Sequence, residues 1–343
     1  MALADEHVVA DADHLAEERD HRGGLAHADA RGRLASVDGD TGQRTELGTV
    51  DGAVTMLAEA LPTLARIGGF RGLVIGNQGE NFCAGADLRT VLAAAEASDF
   101  AALERAVAAL QTALMDLRHG DLPVVVAPHG LTLGGGVEVT LHGDAVVANS
   151  ELYMGLVEIG VGLLPAGGGL KEMARRASEW AAQAPDGDPY PLVRRAFENA
   201  ASGKVSTSAH EARAAGFLTP TDGVVFHRAR VVAEAKRRAI GLAEAGYVPP
   251  DRNAAISLIS TGRGASLLMG AQMFFWGGYA SAHDQKIAQK IAHVLAGGMT
   301  GQPTASAQQL LDLEREAFCS LAGEAATVAR IKHMLETGKP LRN

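Results

Sequence analysis

Residues 130–141 read GLTLGGGVEVTL, a glycine triplet followed two residues later by a single carboxylate, Glu138. Glycine loses more freedom on ordering than any other residue, so the run is poor material for the interior of a helix or a strand. It reads better as a loop that opens a helix through Val139 and Leu141. The first N–H groups of such a helix have no intrahelical acceptor, and its positive dipole end favours an incoming oxygen. Glu138 stands three residues after Gly135 on the same helical face. Its carboxylate is then expected beside the atom whose oxygen the Gly135 N–H holds.

Two further loops have the same character: NFCAGADL (81–88) and GLVEIGVGLLPAGGG (155–169), each glycine-rich around few polar groups. Gly85 holds the first loop open, so the Ala86 N–H can pair with that of Gly135 to form an oxyanion hole. A second carboxylate, Glu158, precedes an apolar run and Pro165, and is expected to point from a loop toward Glu138. Taken singly, a glycine triplet is usually a tight turn and a lone Glu a solvated one. The order and spacing of all three loops carry the site.

The flanking segments predict an α/β fold. DGAVTMLAEALPTLARIG (51–68) has helical spacing at Val54, Leu57, Leu61 and Leu64, while RGLVIGNQ (71–78) and LPVVVAPHG (122–130) read as short buried strands. A helix is predicted over Ala93–Leu117, one strand in DAVVANSELYM (144–154), and a helix in LKEMARRASEWAAQA (170–184). Alternating strands and helices imply largely parallel pairing through crossovers. Beyond Val225 the chain reads as mostly helical, and the Met273, Phe274, Phe275, Trp276 cluster reads as completing a core, with an oligomer or domain interface as the alternative.

Residues 1–48 differ in being polar, without convincing strand or apolar periodicity, and read as disordered or loosely helical. His7, His14 and His21 recur seven apart, but no Cys or tight His pair joins them, so they read as solvated rather than metal-binding. The organisation expected is thus a divergent polar segment over 1–48, a catalytic core over 49–228 and a helical region over 229–343.

A net charge of −9 argues against a general nucleic-acid or anionic-membrane surface. The two cysteines, Cys83 and Cys319, lie far apart without metal-type spacing, which fits a reducing, cytoplasmic setting. No secretory leader, membrane-length apolar run or G-x-G-x-x-G in a strand-to-helix context is read, so NAD is not expected.

The quoted residues resemble the crotonase (enoyl-CoA hydratase/isomerase) superfamily. FCAGADL, HGLTLGGGVE and VEIGVGLLPAGGG carry the likeness, with Glu138 and Glu158 twenty positions apart as in the hydratases. More narrowly, GLVIGNQGENFCAGADL, HDQKIAQKIAHVLAGG, the ERE of LLDLEREAF and HMLETGKPLRN resemble the C-terminal hydratase part of bacterial bifunctional 3-hydroxyacyl-CoA dehydrogenase/enoyl-CoA hydratase proteins. The resemblance runs from about Val50 to Asn343.

It implies a crotonase-like spiral of ββα units with a C-terminal helical region. It also implies an enoyl-CoA hydratase of β-oxidation: Ala86 and Gly135 hold the thioester oxygen, Glu138 and Glu158 act on water, and Arg89 lies near the CoA phosphates. Neither metal nor cofactor is implied beyond the acyl-CoA substrate, and the expected partners are further copies of the chain or a dehydrogenase. An isomerase, working with the later carboxylate, and a non-catalytic docking subunit are the alternatives. The sequence departs from the family pattern in residues 1–48, which lack the opening strand and CoA-contacting motif, and at Ala166, where many hydratases have Gly.

Overall fold

The computed structural model describes residues 10–11, 70–77, 79–183 and 187–343. The helix expected over 51–68 and the three spaced histidines lie outside these residues. Among the described residues the main sheet has five parallel strands in the order β1-β2-β3-β5-β7, with β1 Ala10–Asp11, β2 Leu73–Gly76, β3 Val124–Val126, β5 Ala145–Asn149 and β7 Gly223–Val225. The two residues of β1 pair with Ile75 and Gly76, a short strand where the sequence reading finds none.

The continuous apolar runs of β2 and β3 have a direct cause: this sheet is covered on both faces. Leu73, Val124 and Val126 pack with Ala113, Leu114 and Leu117 of helix α2 (Phe100–Arg118). Val74, Val125 and Val147 face the other way, against Val231, Ala235 and Ala239 of α7 (Val231–Glu244). The period-two alternation of side chains in a strand thus feeds two separate apolar layers.

Two segments depart from the expected elements. The helix predicted over Ala93–Leu117 is two helices, α1 (Leu88–Glu96) and α2, interrupted where Ser98 takes φ 54° and the Asp99 carboxylate accepts from the Ala102 N–H. Asp99 competes for the backbone as an N-cap, which a periodicity count does not register. DAVVANSELYM is likewise two strands. β5 joins the main sheet, Ser150 and Glu151 turn the chain, and β6 (Leu152–Gly155) pairs in parallel with β4 (Gly130–Leu133) in a separate two-stranded sheet.

Among the described residues the remaining α-helices are α3 (Gly135–His142), α4 (Gly169–Ala181), α5 (Tyr190–Ser202), α6 (Ala209–Ala215), α8 (Thr261–Trp276), α9 (Ala282–Leu295), α10 (Ala307–Ala322) and α11 (Ala325–Thr337). Leu267 of α8, Ile287 and Ile291 of α9, and Leu310, Phe318 and Leu321 of α10 enter the same apolar cluster as Val137, Leu141 and Leu170 near α3 and α4. The Met273–Trp276 cluster does not complete this core. Met273, Phe274 and Trp276 are exposed by 60% or more. Among the described residues no helix is long and apolar enough to cross a membrane.

Candidate active site

Three loops meet at the carboxyl ends of strands. The Cys83 N–H donates to Leu131 O (3.0 Å) and the Leu133 N–H to Cys83 O (2.8 Å), so NFCAGADL is stitched along β4. The Gly134 N–H donates to Gly155 O (3.0 Å), which ties the end of β4 to the end of β6 just before Glu158. The glycine triplet follows from this crowding. Gly134 holds φ 54°, a left-handed conformation, and a Cβ there would meet Glu158 Oε1 at 3.2 Å and Gly85 Cα at 3.6 Å. A Cβ on Gly136 would meet Cys83 Cβ at 2.7 Å.

Ala86, Gly135, Glu138 and Glu158 all line one cavity of about 1410 Å³, whose walls include Leu88, Val91, Val107, Leu267, Ala271 and Phe274. The structure therefore brings together the four residues expected to do chemistry. Arg89 is exposed in the first turn of α1, outside the lining of that cavity, although its neighbours Leu88 and Thr90 belong to it.

Glu138 is buried in the first turn of α3. Its Oε1 accepts from the N–H groups of Gly167 (2.7 Å) and Gly169 (2.9 Å), donors left free at the start of α4. Burial pushes its carboxyl up to about 7, against the pull of those two hydrogen bonds and of Lys171. Glu158 opens a single 3₁₀ turn, Glu158–Val161. Its Oε2 is buried without a hydrogen-bond partner among the described residues. Burial first, and the Glu138 charge second, raise this carboxyl well above its usual range. The Ala166 backbone is fixed too, since its carbonyl accepts from Gln111 Nε2 at 2.7 Å.

Such an arrangement has a definite chemistry. A carbonyl oxygen can sit against paired backbone donors while two carboxyls of unequal proton affinity pass protons beside it. The geometry invites comparison with known proteins. Residues 50–184 match the family model described as enoyl-CoA hydratase/isomerase. Over that span the chain is similar to the crotonase superfamily.

A probable 3-hydroxyacyl-CoA dehydrogenase of Bacillus subtilis is 43% identical over 279 residues, covering 80% of this chain. The match spans 34% of that relative, about a third of its length. A carnitinyl-CoA dehydratase structure from Mycobacterium thermoresistibile aligns with TM-score 0.57 and 20% identity, covering 84% of this chain and 83% of its own. An enoyl-CoA hydratase structure from Bacillus halodurans aligns with TM-score 0.54 and 15% identity, covering 83% of this chain and 90% of its own. At those identities the two structures establish the crotonase fold, with its parallel sheet and helical C-terminal region.

Behind the site lies a polar cluster that sequence reasoning does not find. His142 Nδ1 hydrogen-bonds to Glu138 O (2.7 Å), and its Nε2 lies 2.8 Å from Lys171 Nζ. Burial and the Lys171 charge hold His142 well below its usual value, so it is neutral, with Nδ1 donating and Nε2 accepting. Lys171 in turn pairs with Glu172 at 2.5 Å, and Glu172 also takes Arg175 at 2.8 Å. Burial alone would raise the Glu172 carboxyl, but Arg175, Lys171 and neighbouring cations hold it well below its usual range. The sequence signal was present in KEMARR (171–176), charge on a helix whose apolar periodicity is otherwise that of a buried face.

Proposed function

We propose that this chain adds water across the 2,3 double bond of a trans-2-enoyl-CoA, giving the 3-hydroxyacyl-CoA of fatty-acid β-oxidation. The observation that carries the reading is the Glu138/Glu158 pair: two enclosed carboxyls with raised proton affinity lining one apolar cavity with Ala86 and Gly135. The thioester oxygen accepts from the Ala86 and Gly135 N–H groups, which draws electron density from C3. As water oxygen bonds to C3, ionised Glu138 takes the water proton, and the π electrons move toward the thioester oxygen. Glu158, whose proton affinity is raised by burial and by the Glu138 charge, delivers its proton to C2. Glu138 ends protonated and Glu158 ionised, and proton exchange with solvent restores both.

Hydration is favoured over isomerisation because both carboxyls face the cavity. Arg89, on the exposed face of α1, is the basic group assigned to the CoA phosphates. The acyl-CoA is the whole ligand requirement of this scheme. The dehydrogenase named in the Bacillus subtilis relative fits a division of labour, in which hydration belongs to the matched third and its product passes to a dehydrogenase part or partner.

The test is loss of the enoyl thioester absorbance of crotonyl-CoA. The parent should turn over, and Glu138→Gln should lose at least about 100-fold in kcat, the usual scale for a general base. A parent that folds cooperatively yet shows no hydration would overturn the proposal.

A further inference from the structure

The loop that holds Glu138 is itself held from the far end of the chain. Glu314, in the middle of α10, is fully buried. Its Oε2 accepts from the Gly168 N–H (2.7 Å) and its Oε1 from the Lys171 N–H (2.6 Å). Those donors alternate along the chain with the Gly167 and Gly169 N–H groups that bind Glu138. One helix start therefore feeds two buried carboxyls, one lining the cavity and one reaching in from α10. A second tie runs the same way: Gln111 Nε2 donates to both Ala166 O (2.7 Å) and Leu311 O (2.9 Å), and its Oε1 accepts from Arg315 Nη1 (2.8 Å). The start of α4 is thus clamped against α10 on both sides of the glycines.

We propose that Glu314 is a positioning residue for Glu138: by gripping Gly168 and Lys171 it fixes the Gly167 and Gly169 donors, so the reacting carboxyl is set in place from the C-terminal helices. The inference rests on the reading of Glu138 as the proton acceptor. Glu314 does not line the cavity, so it reaches the reaction through the loop and not by touching substrate. Glutamine at this position keeps the reach and one acceptor oxygen but turns an amide N–H₂ toward the second donor. Alanine removes both acceptors and leaves the two N–H groups buried and unpaired.

The experiment compares the parent with Glu314→Ala and Glu314→Gln in two measurements. In steady-state hydration of crotonyl-CoA, Glu314→Ala should lower kcat by at least about 10-fold while KM moves less than about 3-fold, with Glu314→Gln between the two. Without substrate, the Gly167 and Gly169 amides of Glu314→Ala should exchange with solvent at least about 10-fold faster than in the parent. An unchanged kcat, an unchanged exchange rate, or a rise in KM matching the fall in kcat/KM would each overturn the proposal. If alanine prevents folding, the glutamine variant decides it by the same criteria. A parent without hydration would overturn the proposed function instead, and the amide exchange would still accept or reject the hold of Glu314 on the Glu138 donors.

Discussion

Glu158 and Glu172 are both enclosed carboxyls within the same core, yet their environments are opposite. Glu158 has a buried oxygen without a partner among the described residues and a proton affinity pushed up by burial and by Glu138. Glu172 sits among Lys171 and Arg175, with Arg118 at 4.0 Å, and its carboxyl is held ionised. The first pattern leaves a costly buried polar atom without a partner among the described residues; the second surrounds the carboxylate with cations from within. Burial alone does not tell a working carboxyl from a structural one, but its partners do.

The contrast can be broken first at the paired end. Glu172→Gln strands buried Lys171 and part-buried Arg175, and should cost about 3–5 kcal/mol in chemical denaturation at neutral pH. Because the Glu172 carboxyl is depressed in the folded state, its contribution is present above the unfolded carboxyl value and is lost as the pH falls through the folded one.

Glu138, which meets backbone N–H groups at its Oε1, should behave with the opposite sign. Glu138 rises from 4.5 to about 7 on folding, so the folded state binds more protons than the unfolded between those values. Its contribution is full below about pH 4.5 and disappears as the pH rises toward 7, a loss on the order of 3 kcal/mol. Glu138→Gln should remove that slope. Its amide oxygen can keep both glycine N–H bonds, which the carboxyl receives on Oε1 alone, so the variant should be at least as stable as the parent near pH 8.

A smaller effect is expected at Gly167, where an added Cβ would meet Glu138 Oε2 at 2.6 Å and Leu110 Cδ2 at 2.8 Å. Gly167→Ala should cost about 1–3 kcal/mol by overpacking and should lower kcat by displacing Glu138. The smallest belongs to the exposed apolar group on α8. Met273→Ser should change stability by no more than about 0.5 kcal/mol, where a core methionine would cost several times that.

What the sequence disclosed follows from how local each signal is. LVIG and VVV announce doubly covered strands by composition alone, and Glu138 stands three residues after Gly135 in one glycine-rich loop, while Glu158 lies in another. GLTL was harder to read as a strand, because its Gly130 and the triplet that follows obscure a run completed by pairing with β6. The Met273–Trp276 cluster was misread because apolarity predicts burial without saying against what. Glu314 reaches Gly168 across 146 residues, a distance no local pattern spans. Its one signal was a carboxylate on the α10 face that also carries Leu310, Leu311, Ala317 and Phe318, which are buried. A charge on an apolar helical face asks for a partner, and the sequence does not say which.

The central claim is that Glu138 and Glu158 differ from Glu172 by being a working pair. It is tested most directly by following crotonyl-CoA hydration from about pH 5 to about pH 9 in the parent, Glu138→Gln and Glu158→Gln. The parent rate should fall on the acid side as Glu138, titrating at about 7, takes up its proton, and fall again on the alkaline side as Glu158 loses its own. Both variants should lose about 10²–10⁴-fold in kcat while remaining folded. Parent-like turnover in either glutamine variant would contradict the account.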